Sequence, residues 1–393
     1  MHSIETIEPV ALVTTGRTGS DLLQSLFDSH SQVLTFNGHL VQYYSFWENN
    51  LDIINSEKFR SEDLIYKFIS HHLELLKSHY DLAERKNTMG DNFDESISID
   101  LPKFIKITSN FLQDKKLNSK NFLLAVHVAY AICLGQDISR KSIFLFHIHN
   151  ADLLPSFLKD FPDTRIICMT RDPRANYYSG IYHCILAYIA NTNRSIPNCT
   201  KLFIYLLRIF EDAYSLDKYN NNYTVLKLEE LGDKCLLTKV CTWLDIKYES
   251  TLELSTFGGI RWRGDALSVK TNNEKGFSSD MISNKWEGSF GNVEKYVFNF
   301  ILNSRLEYYL YPYKRISMKD YFIVPFLILL PLRLEIDIFK LNLSKKQSFR
   351  SKMHTSKINI IGYFKRVILF FKYYKLQISG NHFKRNTLTC LNK

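Results

Sequence analysis

Residues 15–20 have the types and spacing that suit an anion-binding loop. They read TGRTGS and follow the apolar run VALV. Gly16 and Gly19 permit close backbone approach, and Arg17 adds a planar cation. If a helix begins near Ser20, its first N–H groups and the positive end of its dipole also favour an anion. The alternative is an ordinary strand-to-helix turn with a surface arginine.

A second segment, TRDPRANYYS at residues 170–179, suggests another anion site. Arg171 directly follows an apolar run, and Pro173 suits the first position of a helix. Ser179 lies about two helical turns beyond Arg171. Open parallel sheets bind ligands at the carboxyl ends of their strands, so both side chains are predicted to contact one phosphate there. The alternative is a surface ion pair beside a solvated serine.

Alternating strands and helices position these segments. Strands are predicted before residue 14, over residues 142–149 and 164–170, and around the segment YTVLK. The helix after the first loop places four apolar side chains on one face, namely Leu22, Leu23, Leu26 and Phe27. We therefore predict an α/β fold with a central parallel sheet flanked by helices.

Four segments resemble, in order, motifs of the sulfotransferases that use 3′-phosphoadenosine 5′-phosphosulfate (PAPS). GRTGSDLLQSLFDSH resembles the 5′-phosphosulfate loop in the Arg-containing form of the carbohydrate, tyrosyl-protein and bacterial branches, and RDPRANYYS resembles the 3′-phosphate motif. YTVLKLEEL and WRGDALSVKTNNEKGFSSDMISNKW are similar to later family segments. The resemblance covers roughly residues 9–312 and implies a sulfotransferase fold similar to that of P-loop NTPases.

The resemblance also implies roles for particular residues. The 5′-phosphosulfate would be held by Gly16, Arg17, Thr18, Gly19 and Ser20. The 3′-phosphate would be held by Arg171 and Ser179, with Lys275 and Gly276 as additional contacts. Arg17 and backbone donors would stabilise the leaving phosphate, so we expect no metal. The chain departs from the family at Ser31, where proline is usual, and at His39, where many Arg-type members have glutamate.

In-line sulfonate transfer needs a base near the acceptor hydroxyl. His39 is our first candidate, because it takes the family's carboxylate position and its ordinary pKa suits the task. His149 is the rival, together with His147 on the same strand face. Glu48 and Glu229 are weaker candidates. Each histidine has the alternative of a purely structural role.

The net charge of +10 comes from one end of the chain. Residues 333–393 contain 14 Lys and Arg residues against two acidic residues, so residues 1–332 carry a net charge of −2. The main domain therefore gives no reason to expect a nucleic-acid partner. We predict a sulfotransferase domain over residues 1–312 and a basic, aromatic, helical extension over residues 313–393.

Cysteine usage and hydropathy bear on the compartment. The seven cysteines are scattered and form no C-x-x-C pair, which favours reduced thiols in the cytoplasm. We expect no export signal or N-terminal anchor. Apolar and basic residues alternate at helical spacing between Ile360 and Ile378, so peripheral membrane contact through residues 322–378 is one prediction. A helix packed on the domain with a basic edge is the alternative.

Three classes of function remain open at this point. A PAPS-dependent sulfotransferase acting on a hydroxyl or amine is the first, with a carbohydrate or glycolipid acceptor favoured by family analogy over a peptide. A nucleotide-dependent kinase is the second, although the Gly-Lys-Ser/Thr ending of a Walker A loop is missing. The third is a non-catalytic nucleotide-binding or membrane-associated protein on the same scaffold.

Overall fold

The computed structural model describes residues 7–38, 40, 42–54, 60–78, 88–149, 151–190, 198–210, 222–264, 276–282, 285–344, 348–379 and 389–390. The chain divides into two compact units. The first unit comprises residues 1–169, 219–281 and 388–393, and the second comprises residues 170–218 and 282–387. The boundary predicted at residue 312 stays a prediction.

A six-stranded sheet forms the centre of the first unit. In chain order its strands are β1 (Glu8–Val13), β2 (Val33–Leu34), β3 (Ile143–Ile148), β4 (Arg165–Thr170), β5 (Tyr223–Lys227) and β8 (Thr389–Cys390). Their order across the sheet is β2-β3-β1-β4-β5-β8. β1 lies parallel to both β3 and β4, β2 is parallel to β3, and β5 is parallel to β8. β3 is buried along its whole length, as expected where helices cover a parallel sheet.

Helices of the first unit surround this sheet. They are α1 (Ser20–Phe27), α2 (Tyr43–Glu48), α3 (Leu51–Ile54), α4 (Ser61–His71), α5 (Leu73–Leu76), α6 (Leu101–Leu112), α7 (Ser119–Cys133), α8 (Leu154–Asp160) and α11 (Lys234–Trp243). A short antiparallel pair, β6 (Thr256–Phe257) and β7 (Ile260–Arg261), completes the unit. Single 3₁₀ turns occur at Ile138–Arg140, Ala151–Leu153, Leu228–Glu230 and Ser250–Glu253, and another, Ser279–Ile282, spans the unit boundary.

The described part of the second unit is helical. It contains α9 (Pro173–Ala190), α10 (Cys199–Phe210), α12 (Trp286–Ser289), α13 (Asn292–Ile301), α14 (Asn303–Tyr308), α15 (Met318–Ile328), α16 (Arg333–Ser344) and α17 (Phe349–Ser379). A buried ion pair joins α16 to α17, with Arg366 donating to Glu335 at 2.8 and 3.0 Å. Gly362 allows α17 to approach α10 closely, since an added Cβ there would lie 2.3 Å from the carbonyl carbon of Cys199.

The predicted architecture is confirmed. The predicted strands correspond to β1, β3, β4 and β5, and the four apolar residues of α1 are all buried. The first helical residue of α9 is Pro173, as predicted from its fixed φ. The C-terminal part is helical, as expected.

Candidate functional site

The loop of residues 14–19 connects β1 to α1 and has the backbone of an anion cradle. Gly16, Arg17 and Gly19 have φ values of 95°, 59° and 85°, in the left-handed region. Left-handed residues of this kind occur in the nests of backbone N–H groups that bind anions. The Thr14 hydroxyl accepts from the Gly16 N–H at 2.9 Å and lies 2.6 Å from the Thr18 hydroxyl, which fixes the turn from inside.

Two features of this loop bear on whether a ligand phosphate fits it. The Thr15 hydroxyl oxygen is buried and has no hydrogen-bond partner among the described residues. Such orphan groups are rare in folded proteins, and a bound oxyanion would satisfy this one. Gly19 precedes α1 directly, and an added Cβ would lie 2.4 Å from Leu228 Cδ1. With a φ of 85° and this contact, glycine is favoured there, and its lack of a side chain lets the loop backbone pack directly against Leu228.

Two histidines at the carboxyl end of β3 lie beside this loop. β3 is the direct neighbour of β1, and the Thr14 N–H donates to the Ile148 carbonyl at 3.1 Å. His147 Nδ1 lies 3.8 Å from the carboxylate of Asp21 in the first turn of α1. The His147 and His149 ring centroids are 5.5 Å apart. The sheet register therefore places both histidines next to the predicted anion loop.

Gln24 on α1, which was not among the predicted site residues, orients this part of the site. Its amide Nε2 donates to the carbonyls of Phe36 and Gly38 at 2.8 and 2.7 Å. Its Oε1 therefore accepts from His147 Nδ1, at 2.7 Å. A neutral His147 then keeps its lone pair on Nε2. The available signal was a glutamine among the apolar residues of α1, one helical turn after Ser20.

His30 and Ser31 hold the exit of α1 in place of the family's usual proline turn. The Gln32 N–H donates to His30 Nδ1 at 3.1 Å, so Nε2 carries the proton that is donated to the Lys247 carbonyl at 2.8 Å. Ser31 donates its N–H at 2.9 Å, and its hydroxyl, to the carboxylate of Glu249. A proline at position 31 would lose both bonds, which gives this departure from the family pattern a physical reason.

The second predicted anion segment lies in the second unit, at the start of α9. Asp172 caps this helix by accepting from the Arg174 N–H at 2.9 Å, and it also binds the Arg174 guanidinium at 2.7 and 3.0 Å. This pair is buried, which fixes the backbone on the carboxyl side of Arg171. Arg171 and Ser179 are both half-buried. Gly180 follows Ser179 and lies against the ring of Tyr205 on α10, where an added Cβ would approach to 2.7 Å.

The remaining predicted residues divide between described and undescribed positions. Gly276 has a φ of 80°, and an added Cβ would lie 2.5 Å from the Glu253 carbonyl oxygen. Lys275 and His39 lie outside the described residues. Glu48 is the last residue of α2, and Glu229 lies in the 3₁₀ turn after β5. Within the first unit, the described site therefore comprises the loop, Gln24 and the two histidines of β3.

Comparison with known proteins identifies the class. Residues 8–216, just over half of the chain, match the family model described as the sulfotransferase domain. The chain belongs to this family. The prediction of sulfotransferase membership, made from four ordered sequence segments, is therefore confirmed.

Several solved structures are also similar. The sulfotransferase domain of the Synechococcus PCC 7002 olefin synthase is 13% identical, over 72% of this chain and 88% of that chain, with a TM-score of 0.39. The sulfotransferase domain from the curacin biosynthetic pathway is 12% identical over 63% and 77%, with a TM-score of 0.34. A sulfotransferase from Mycobacterium avium is 13% identical over 63% and 66%, with a TM-score of 0.32. A search of curated proteins gave no match.

Proposed function

We propose that this protein transfers a sulfonate group from PAPS to a hydroxyl or amine of an acceptor. The observation that carries this proposal is the loop between β1 and α1, with its left-handed residues and its unpartnered Thr15 hydroxyl, in a chain of the sulfotransferase family. In this assignment Gly16, Arg17, Thr18, Gly19 and Ser20 hold the 5′-phosphosulfate. The 3′-phosphate is bound by Arg171, Ser179, Lys275 and Gly276.

The chemistry required of the protein is modest. Sulfonate transfer, like phosphoryl transfer, depends on positioning and on stabilising charge at the leaving oxygen. Arg17 and the N–H groups at the start of α1 supply that stabilisation without a metal. PAPS supplies the activated sulfonate, and a histidine removes the proton of the acceptor. His39 is the first choice, and His149 is the alternative next to the loop.

Donor binding is the first test. Adenosine 3′,5′-bisphosphate (PAP), the product of the donor, is titrated calorimetrically against the wild type and against Arg17→Ala and Arg171→Ala. Each variant is expected to bind at least about tenfold more weakly, since a hydrogen bond to a charged group contributes about 1.5–3 kcal/mol. Arg60→Ala is the control, because Arg60 is an exposed arginine whose one ion pair within the described residues is with Asp63. Unchanged affinity in both test variants would remove the donor assignment.

Transfer and acceptor are tested with PAPS carrying a radiolabelled sulfonate. Glycans, glycolipids and tyrosine peptides are offered in parallel, and we propose that a carbohydrate or glycolipid is labelled. His39→Ala and His149→Ala are compared with the wild type over a range of pH. The variant that lacks the general base should no longer show the decrease in transfer rate that the wild type shows as pH falls. Tight PAP binding without transfer to any acceptor would favour the non-catalytic scaffold. Phosphate transfer from ATP and Mg²⁺ would favour the kinase.

We further propose that this enzyme is cytoplasmic and meets a membrane surface through residues 322–378. Phe322 and Phe326 on α15 are 71% and 73% exposed, and Phe364 and Ile368 on α17 are 58% and 69% exposed. Each pair is four residues apart and thus shares a helix face. Monomeric soluble proteins rarely expose large contiguous apolar patches. These two stripes therefore favour contact with an apolar phase.

Hydrogen bonds bring the exposed end of α15 to α17. The Tyr363 hydroxyl donates to the Leu329 carbonyl at 2.5 Å, and Arg366 donates to the Leu330 carbonyl at 3.0 Å. Leu329 and Leu330 are themselves about half exposed. α17 thus packs through one face, including Gly362, and leaves another face apolar and exposed. One face of α17 therefore packs on the protein, and we propose that the other face contacts the membrane.

The charge of the C-terminal region indicates which kind of membrane surface the protein contacts. Residues 333–393 have a large excess of Lys and Arg, which complements an anionic bilayer. No helix among the described residues is long and apolar enough to span a membrane. In a sedimentation assay, the protein is expected to bind vesicles of phosphatidylglycerol and phosphatidylcholine, and to bind less when Phe322 and Phe326 are changed to serine. Leu254→Ser is the matched control, and equal binding by all three proteins would contradict the proposal.

A further inference from the structure

The second unit contains a pocket of about 370 Å³ that no step of sulfonate transfer described above uses. Its lining comes from α9, α12, α13, the segment before α15 and the first turn of α15. A volume of this size falls in the range of small-molecule sites, about 300–1,000 Å³. The walls combine three aromatic residues, four basic residues and two asparagines with the acids Glu287 and Asp320 and with Ile316.

The wall formed by the segment before α15 is held in a fixed position. Asn299 on α13 donates to the Lys314 carbonyl and accepts from the Lys314 N–H, both at 2.8 Å. Asn303 donates to the same carbonyl, also at 2.8 Å. The Tyr296 hydroxyl donates to Asp320, whose carboxylate also caps α15 through Ser317. The pocket is therefore preformed on this side.

Another part of the lining carries an unsatisfied donor. Trp286 is 93% buried, and its indole N–H has no hydrogen-bond partner among the described residues. The Arg174 guanidinium lies 4.4 Å from the centre of the Trp286 ring. Its charge is already neutralised by Asp172, so Arg174 acts here as a planar wall. A buried N–H without an acceptor is costly, and a ligand oxygen would satisfy it.

Two basic side chains at this pocket carry a charge that no described acidic residue neutralises. Lys295 and Arg315 line it, and neither side chain forms an ion pair with any described residue. Lys314 lies with its Nζ 5.9 Å from the centre of the Tyr296 ring. With Arg174 neutralised by Asp172, three cations oppose the acids Glu287 and Asp320, so the lining keeps a small positive excess. A small ligand that presents an anionic group to Lys295 and Arg315, hydroxyls to the amides and a ring face to the aromatics satisfies this lining.

We propose that this pocket binds a hexose-sized sugar carrying an anionic group. A sulfate, a phosphate or a carboxylate on the sugar has the shared chemistry that the two unpaired cations recognise. The Asn299 side chain and the Trp286 indole N–H contact the sugar oxygens, and the aromatic walls pack on its ring. This site requires no PAPS, so it is measured separately from donor binding.

Calorimetric titration of the full-length protein tests this site. The ligands are glucose 6-sulfate, glucose 6-phosphate and glucuronate, with glucose as the neutral comparison. At least one anionic sugar is expected to bind about tenfold more tightly than glucose. Comparison of the three anionic ligands then shows which anionic group the pocket prefers. Lack of binding by all three, or affinity equal to that of glucose, would overturn the proposal.

Variants locate the binding. Changing Lys295 and Arg315 together to glutamine is expected to weaken binding of the anionic sugar about tenfold and to leave glucose binding unaffected. Changing Lys319 and Lys340 to glutamine removes two exposed cations of the same unit that do not line the pocket, and binding should persist. Trp286→Phe keeps a ring but removes the N–H, and a several-fold loss is expected.

Two outcomes would overturn the assignment after binding is found. One is wild-type affinity in the Lys295 and Arg315 double variant. The other is displacement of the sugar by PAP, which would assign the sugar to the donor site instead. Failure of the donor assignment is recognised independently, because it appears as unchanged PAP affinity in Arg17→Ala and Arg171→Ala.

Discussion

The two predicted anion segments are built in different ways. In the first unit, the loop of residues 14–19 depends on backbone conformation, with left-handed φ values at Gly16, Arg17 and Gly19. In the second unit, the segment after β4 depends on side-chain charge, with the buried Asp172–Arg174 pair directly following Arg171. The first should therefore be disrupted by a Cβ added at Gly19. The second is vulnerable to loss of a charge.

A similar contrast concerns one buried cation from each unit. Arg174 meets both oxygens of a carboxylate, whereas the ammonium of Lys141 donates to the backbone carbonyls of His30 and Val33 at 3.0 and 2.7 Å. Carbonyl oxygens solvate a cation but do not neutralise it. Burial accordingly lowers the pKa of Lys141 to about 8. Two buried cations therefore respond differently to mutation and to pH, because one is neutralised and the other is only solvated.

The largest effect is expected from breaking the ion pair of the second unit. Asp172→Ala leaves the Arg174 guanidinium buried without its carboxylate and removes the cap of α9, so the free energy of unfolding should fall by about 3–5 kcal/mol. Urea denaturation measures this change. Adding Arg174→Met should recover part of the loss, because no uncompensated charge then remains. A double variant as unstable as the sum of the single ones would contradict the role of the pair.

A smaller but still large effect is expected from Gly19→Ala. The added Cβ meets Leu228 at 2.4 Å and the residue has a φ of 85°, so strain and overpacking together should cost about 2–4 kcal/mol. PAP binding should be lost with it, since the loop backbone must shift. The readouts are urea denaturation and PAP calorimetry.

Gly135→Ala is the matched control for this loop. Gly135 also has a positive φ of 76°, but an added Cβ there meets no atom within 4 Å. Its cost should be about 1–2 kcal/mol, with unchanged PAP affinity. Equal losses in the two variants would mean that the close approach to Leu228 has no energetic consequence.

The third prediction concerns pH and the first unit. The pKa of Lys141 lies near 8 in the folded protein, below its ordinary value of 10.5, so the unfolded chain binds more protons between these values. The free energy of unfolding contributed by this group should therefore increase as pH rises from about 8 to about 10.5, by up to about 3 kcal/mol. Urea denaturation across this range, as the difference between wild type and Lys141→Met, isolates the effect. An identical slope in both proteins would exclude it.

Local patterns account for what the sequence predicted. The apolar run of β4, Pro173 at the start of α9 and the buried face of α1 each follow from a few neighbouring residues. The contact between Gln24 and His147 joins positions 123 residues apart and depends on β3 lying beside β1. The pocket walls in the second unit likewise join Arg174 to residues after 285. Such sites depend on strand order and helix packing, which periodicity does not specify.

The smallest effect is expected from Ser179→Ala, and it tests whether the second segment acts through charge. Removing the Ser179 hydroxyl that donates to the phosphate should weaken PAP binding about tenfold. This loss should be smaller than the loss caused by removing the guanidinium in Arg171→Ala. Ser344→Ala is the matched control, because Ser344 is exposed and its hydroxyl donates to the Leu341 carbonyl within α16. Wild-type affinity in Ser179→Ala would restrict the 3′-phosphate site to Arg171 and its partners. A loss larger than that of Arg171→Ala would reverse the contrast, since this segment would then depend on a neutral donor rather than on charge.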